Sequence, residues 1–347
     1  MSKSFLTTIT PSAYRVLLST SNPTKRVIPI DATWFMPNDP KNAKQEFIKE
    51  RIPGSKFFDL DYYIDKNSLY PHMLPKDLSI IEQIYSNLNL NLNDSLVIYD
   101  KLGIFSSPRI AWTFSLFGHN KVYLLDNYLN YKQSQYPLDK NPPPPEQLSP
   151  PQAPQQLSPE NQNDNDIVKL DAKQFKQNYK QQVIEYEELL QLIENKNLKD
   201  YLLLDARSLN RFIGKINEPR PGLSSGHIPG AINLPFNSLL KNNSTKQFKS
   251  KQEIINIFQT LLNNHNNNHN HNNHNNHNNN NNRFDDLIER KIYPKGIIVM
   301  CGTGVTAVIL KFAIECILKL NLPVRVYDGS WTEWASRAPS EYIQKDV

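Results

Sequence analysis

Short apolar runs recur along the chain, and each breaks at one particular residue. Residues 27–30 stop at Asp31, 96–99 at Asp100, 122–125 at Asp126, 202–204 at Asp205, 297–300 at Cys301, and the less regular 324–327 at Asp328. Runs this short, apolar without alternation, predict strands covered on both faces, as in a parallel sheet. Segments around 13–18, 77–88, 107–117 and 305–318 read as helices. Strands alternating with helices predict α/β construction on parallel sheets.

The pattern occurs twice. Asp31, Arg51, Asp100 and Asp126 in the first half answer Asp205, His227, Cys301 and Asp328 in the second, at separations of 174, 176, 201 and 202 residues. The jump falls where residues 263–282 are almost all Asn and His, so an insertion there accounts for most of it, and the tract is expected to be an expanded loop. Its histidines, at 265, 269, 271, 274 and 277, are irregularly spaced with no acid or cysteine among them, and no metal site is expected. Residues 137–166 are rich in Pro, Gln and Asn, a composition that reads as a linker. The expected plan is therefore one α/β domain in 1–136, a linker in 137–166, and a second in 167–347 carrying the 263–282 insertion.

The repeat is chemically asymmetric, because Asp100 stands where the second half has Cys301. Only the second half can do thiol chemistry. Cys301 opens a strand-to-helix turn, Cys301-Gly302-Thr303-Gly304-Val305-Thr306. The two glycines are expected to permit backbone angles that aim successive N–H groups at the sulfur or at an anion bound to it. That is the setting of a nucleophile. Cys316 lies among Ile314, Ile317 and Leu318 and is expected in the core.

Composition narrows the partners. At 347 residues, two domains are the natural division. The net charge of +5 comes from scattered lysines with no basic stripe among aromatics, so nucleic acid is not an expected partner. Two cysteines give no disulfide framework. No apolar run approaches the ~18 residues of a spanning helix, so no membrane partner is expected. Residues 1–30 hold no acid but several basic and hydroxyl residues, as mitochondrial transit peptides do. Because residues 13–30 also read as a helix and the first strand, the cytosol is expected and a mitochondrial location is the alternative.

Several motifs together resemble one family. They are Leu204-Asp205-Ala206-Arg207-Ser208, Arg211-Phe212-Ile213-Gly214, Glu218-Pro219-Arg220, Ser225-Gly226-His227-Ile228-Pro229-Gly230, the Cys301 loop, and Asp328-Gly329-Ser330-Trp331-Thr332-Glu333-Trp334. They resemble the tandem rhodanese sulfurtransferases, and within these the 3-mercaptopyruvate branch. The resemblance implies two rhodanese-like domains, of which only the second is catalytic, and no cofactor. It implies that Cys301 takes sulfur from a small-molecule donor as a persulfide and passes it to a thiol such as thioredoxin, or to cyanide. Arg211 and Arg220 would hold the donor's carboxylate and keto oxygen, with Gly302, Gly304 and Val305 also assigned to the donor site. Thr303, His72 and Asp61 match the positions of a proposed Ser-His-Asp arrangement, threonine replacing serine. Arg51, where the family usually has His, and Asp126-Asn127-Tyr128, where it has Asp-Gly-Gly, are departures in the non-catalytic half.

Neutral Gly302 and Thr303, where thiosulfate-preferring relatives carry Arg and Lys, point to mercaptopyruvate, with thiosulfate the alternative donor. A cysteine phosphatase needs an arginine six residues after the cysteine, and Ala307 is there. A non-catalytic interaction module is the remaining alternative, against which the intact loop and both arginines speak.

Overall fold

The computed structural model describes residues 5–145, 168–269 and 283–346. They divide into two compact units, the first drawn from Met1–Lys180 and Asn243–Gln247, the second from Gln181–Asn242 and Phe248–Val347.

In the first unit the elements run β1 (Phe5–Ile9), α1 (Pro11–Ser19), β2 (Val27–Asp31), α2 (Ala43–Lys49), β3 (Lys56–Phe57), α3 (Leu78–Asn87), β4 (Ser95–Tyr99), α4 (Ser107–Leu116), β5 (Lys121–Leu125) and α5 (Tyr128–Gln133). The strands form one parallel sheet in the order β1-β5-β4-β2-β3. Side-chain caps start the helices where the sequence places a short polar residue: Thr10 accepts from the Ala13 amide at 3.2 Å, Asn42 from Gln45 at 3.0 Å and Asp77 from Ser79 at 2.9 Å. Helix α4 is buried along its whole length, its polar residues Ser107, Arg109, Thr113 and Ser115 included. Tyr14, Val97, Tyr99, Leu125 and Tyr131 fill the core on one side of the sheet.

Helix α6 (Ala172–Gln182) precedes β6 (Val183–Ile184), α7 (Tyr186–Glu194), β7 (Tyr201–Asp205), α8 (Leu209–Phe212), β8 (Ile232–Asn233), α9 (Lys251–His269), α10 (Arg283–Ile288), β9 (Gly296–Met300), α11 (Ala307–Phe312), β10 (Val324–Tyr327) and α12 (Ser330–Arg337). The second sheet, also parallel, has the order β6-β10-β9-β7-β8, the first order repeated strand for strand. Its core includes Leu203, Ile298, Met300, Tyr327, Trp331 and Trp334. The α/β class and the duplicated parallel sheets expected from the apolar runs are thus what the chain forms.

Several boundaries differ from the sequence reading. Residues 5–9 form an edge strand ahead of the one expected first. Residues 138–141 are tied down rather than free, because Arg51 exchanges backbone hydrogen bonds with Asp139, pairs with its carboxylate at 2.6 Å and donates to the Asn141 carbonyl at 2.9 Å. Most of α6 falls in the first unit, where Phe175 packs on Phe117 and Asn178 donates to the Leu116 carbonyl at 3.0 Å. Residues 263–269 continue α9 instead of forming a loop: Ile254, Phe258 and Leu262, four apart and buried, anchor the helix, and each further residue then adds a backbone hydrogen bond. The remainder of the Asn/His tract, and linker residues 146–167, lie outside the described residues. Past α11 the chain takes a π-turn at Ala313–Leu318, which leaves Cys316 half-buried rather than in the core.

Candidate active site

Cys301 follows β9, all five residues of which are buried, and is itself 2% exposed. The loop it opens is held by the start of α12. The Trp331 amide donates to the Cys301 carbonyl at 3.0 Å, and the Thr332 amide and hydroxyl donate to the Gly302 carbonyl at 2.9 and 2.8 Å. The Cys301 amide donates to Ser330 Oγ at 3.1 Å, and that hydroxyl donates to the Tyr327 carbonyl at 2.8 Å. With both carbonyls and the first amide occupied from one side, the turn has a fixed course. Gly304 takes a positive φ of 76°, as the sequence led one to expect. Gly302 does not. Its missing side chain makes room instead, since a Cβ there would lie 3.1 Å from Arg211 Nη2.

Arg211 comes from α8, a single turn too short to fix a long side chain by itself. Its Nε donates to Glu218 Oε1 at 3.1 Å and its Nη2 to Glu218 Oε2. Glu218 also accepts from Arg207 Nη1 at 3.0 Å. Arg207 is fully enclosed: it chelates Asp205 through Nε and Nη2, donates to the Gly226 carbonyl at 2.7 Å and lies 4.2 Å from the Trp331 ring centroid. An unbroken chain of charged contacts thus runs from the end of β7 to the face of Gly302. Arg220 is half-buried in the loop two residues beyond Glu218; Thr303 and Val305 are buried in the cysteine loop.

His72 and Asp61 belong to the first unit, where they meet. His72 Nε2 and Asp61 Oδ1 are 3.0 Å apart, and Trp34 Nε1 donates to both Asp61 oxygens at 3.0 and 3.1 Å. The Trp34 ring stands edge-on to His72 at 4.8 Å, and Arg109 Nη2 donates to the His72 carbonyl at 2.7 Å. The first unit also shows what the duplicated loop does when no cysteine is present. Tyr99 pairs with Asp31 as Met300 pairs with Asp205, so Asp100 and Cys301 follow at equivalent points. The Asp100 carboxylate receives the amides of Leu102, Phe105, Ser106 and Ser107 at 2.9 to 3.1 Å and the Ser107 hydroxyl at 2.5 Å. The loop is a cradle for an anion.

Glu218, Arg207, Ser330 and Thr332 carried no assignment from the sequence, although all lie in motifs it displays. A buried acid placed between two arginines in one stretch was the available signal. Among the described residues, no group of three or more His, Cys, Asp or Glu side chains is arranged to hold a metal, and no helix is long and apolar enough to cross a membrane.

Two parallel sheets of one topology, with a cysteine ending the central strand of the second and an aspartate in its place in the first, are the build of a tandem rhodanese. Residues 185–337 match the rhodanese-like domain. The chain belongs to the tandem-rhodanese sulfurtransferases, a family of transferases. It is 38% identical over 342 residues to the thiosulfate sulfurtransferase TUM1 of Saccharomyces cerevisiae, with 97% of each chain covered. It is 32% identical over 318 residues to the 3-mercaptopyruvate sulfurtransferase of Rattus norvegicus, covering 90% of this chain and 86% of that one. The crystal structure of the Tum1 protein from Saccharomyces cerevisiae superposes with a TM-score of 0.75 at 34% identity, over 98% of both chains.

Proposed function

We propose that this protein moves a sulfane sulfur from 3-mercaptopyruvate to a thiol by way of a persulfide on Cys301. The Cys301 thiolate attacks the donor sulfur, and the carbon–sulfur bond breaks with its electron pair leaving on carbon. Protonation of the resulting enolate gives pyruvate. An acceptor thiolate then attacks the outer sulfur of the persulfide, which breaks the S–S bond and returns the Cys301 thiolate; thioredoxin and cyanide are acceptors of the same kind. The observation that supports this most is the Asp100 cradle, in which the loop after the equivalent strand surrounds a carboxyl group with amide N–H donors. The corresponding amides in the second unit are those of Thr303, Thr306, Ala307 and Val308. Such donors stabilise charge on sulfur as it develops.

In this reading Arg211 and Arg220 clamp the donor's carboxylate and keto oxygen, a task suited to a planar guanidinium. Handling of the proton by Thr303, His72 and Asp61 is part of the proposal on family resemblance. The rival donor is thiosulfate, which the name of the yeast relative favours and the neutral Gly302 and Thr303 disfavour. The cytosol is proposed as the working compartment, and residues 5–30 supply β1, α1 and most of β2. The acid-free composition of the same residues supports the mitochondrial alternative.

Purified protein should release pyruvate from 3-mercaptopyruvate with a thiol present. Cys301→Ser should abolish this and Cys316→Ser should not; activity in the Cys301 variant equal to wild type ends the proposal. Comparing kcat/KM for mercaptopyruvate and thiosulfate decides the donor.

A further inference from the structure

Glu218 is a buried carboxylate, its side chain 2% exposed, whose two oxygens receive three guanidinium N–H groups. One comes from Arg207, which cannot move because Asp205, the Gly226 carbonyl and the Trp331 ring enclose it. The other two come from Arg211, whose side chain is 19% exposed and lies across Gly302 beside Cys301. The pairing is side-on, through Nε and Nη2, so Nη1 and the second Nη2 hydrogen remain at the tip of the fork. A ligand carboxylate needs that end of a guanidinium for a two-point contact. A long arginine on a single helical turn would otherwise sample many rotamers, and fixing it on binding would weaken the complex.

We propose that Glu218 is the positioning residue for donor binding: braced by Arg207, it presents the tip of Arg211 to the donor's carboxylate before the donor arrives. This rests on the reading of Arg211 as the donor clamp. Glu218 touches neither the donor nor the reacting sulfur, and its effect passes through Arg211. Removing its charge therefore weakens donor capture and leaves the transfer of sulfur from a preformed persulfide to the acceptor unchanged.

The test is a double-mutant cycle on the full chain with Glu218→Gln, Arg211→Ala and both together, reading KM and kcat for 3-mercaptopyruvate and, separately, the single-turnover rate at which persulfidated protein loses sulfur to a thiol. Glutamine keeps the shape but turns an amide toward the arginines. Glu218→Gln should raise KM about tenfold or more with kcat changed less than about threefold. The double variant should be no worse than Arg211→Ala, because the glutamate has no route to the donor once the arginine is gone. Glu218→Asp, one methylene shorter, serves in the same cycle if the glutamine variant does not fold. Additive losses, or a loss confined to kcat, overturn the proposal. An unchanged KM in Arg211→Ala alone strikes instead at the clamp reading beneath it.

Discussion

The two units share a sheet order and part company at a few positions. At the end of the central strand the second unit has Cys301 and the first has Asp100, whose carboxylate fills its own loop. One residue on, Gly302 leaves space for Arg211, whereas Lys101 extends to the carbonyls of Glu46 and Glu50 that end α2. Two residues past the neighbouring strand's aspartate, Asp205 has Arg207 and Asp31 has Thr33, which donates to it at 2.5 Å. The first unit thus fills its own loop with the Asp100 carboxyl and ties Lys101 to the end of α2, where the second has Cys301 and a glycine beside Arg211.

Carrying the first unit's residue into the second sharpens this contrast most. Cys301→Asp should show no pyruvate release while melting no lower than wild type, because the amides of Thr303, Thr306, Ala307 and Val308 would receive the new carboxylate. A drop of more than about 5 °C in Tm would mean the two loops are not equivalent. Next in size is Arg207→Ala, which leaves Asp205 buried without its cation and Glu218 with Arg211 alone. A cost of about 3–5 kcal/mol is expected by denaturant unfolding, and a loss below about 1 kcal/mol would show that the second unit, like the first, does without this arginine.

The smallest effect is in pH. Burial pushes the Asp31 carboxyl up to about 6, with Lys101 and Thr33 pulling against it, so its contribution to stability is present at acid pH and lost as pH rises from about 4 through 6. Burial holds His119 down to about 4, so its contribution is present above 6.5 and lost as pH falls toward 4. The two slopes oppose one another. Asp31→Asn removes one of them, so between pH 6.5 and 4.5 stability should fall by roughly 2 kcal/mol more than in wild type in calorimetry. A profile parallel to wild type would contradict the assignment.

The sheets were legible because strands buried on both faces leave unbroken apolar runs, and the duplication because those runs end at matching residues. Phe5–Ile9 escaped notice because Thr7 and Thr8 make an edge strand read as polar. The two-residue strands β3, β6 and β8 carry too little pattern to stand out. The cysteine loop could be read as a site from its residues, but the work of Gly302 could not: the sequence suggests a glycine kept for its backbone angle, and the structure shows one kept for an arginine's room. Glu218 was visible as a letter in a motif. That it receives two arginines depends on α8 and the loop after it folding back on β7, which no local pattern records.

The central claim is that Cys301, alone of the two matched loop positions and of the two cysteines, carries sulfur. Intact-protein and peptide mass spectrometry after treatment with 3-mercaptopyruvate, without acceptor, tests it most directly. About 32 Da, the mass of one sulfur, should appear on the peptide containing Cys301, vanish when thiol is added and be absent from Cys316. No added mass on Cys301, or the same mass on Cys316, would contradict the account.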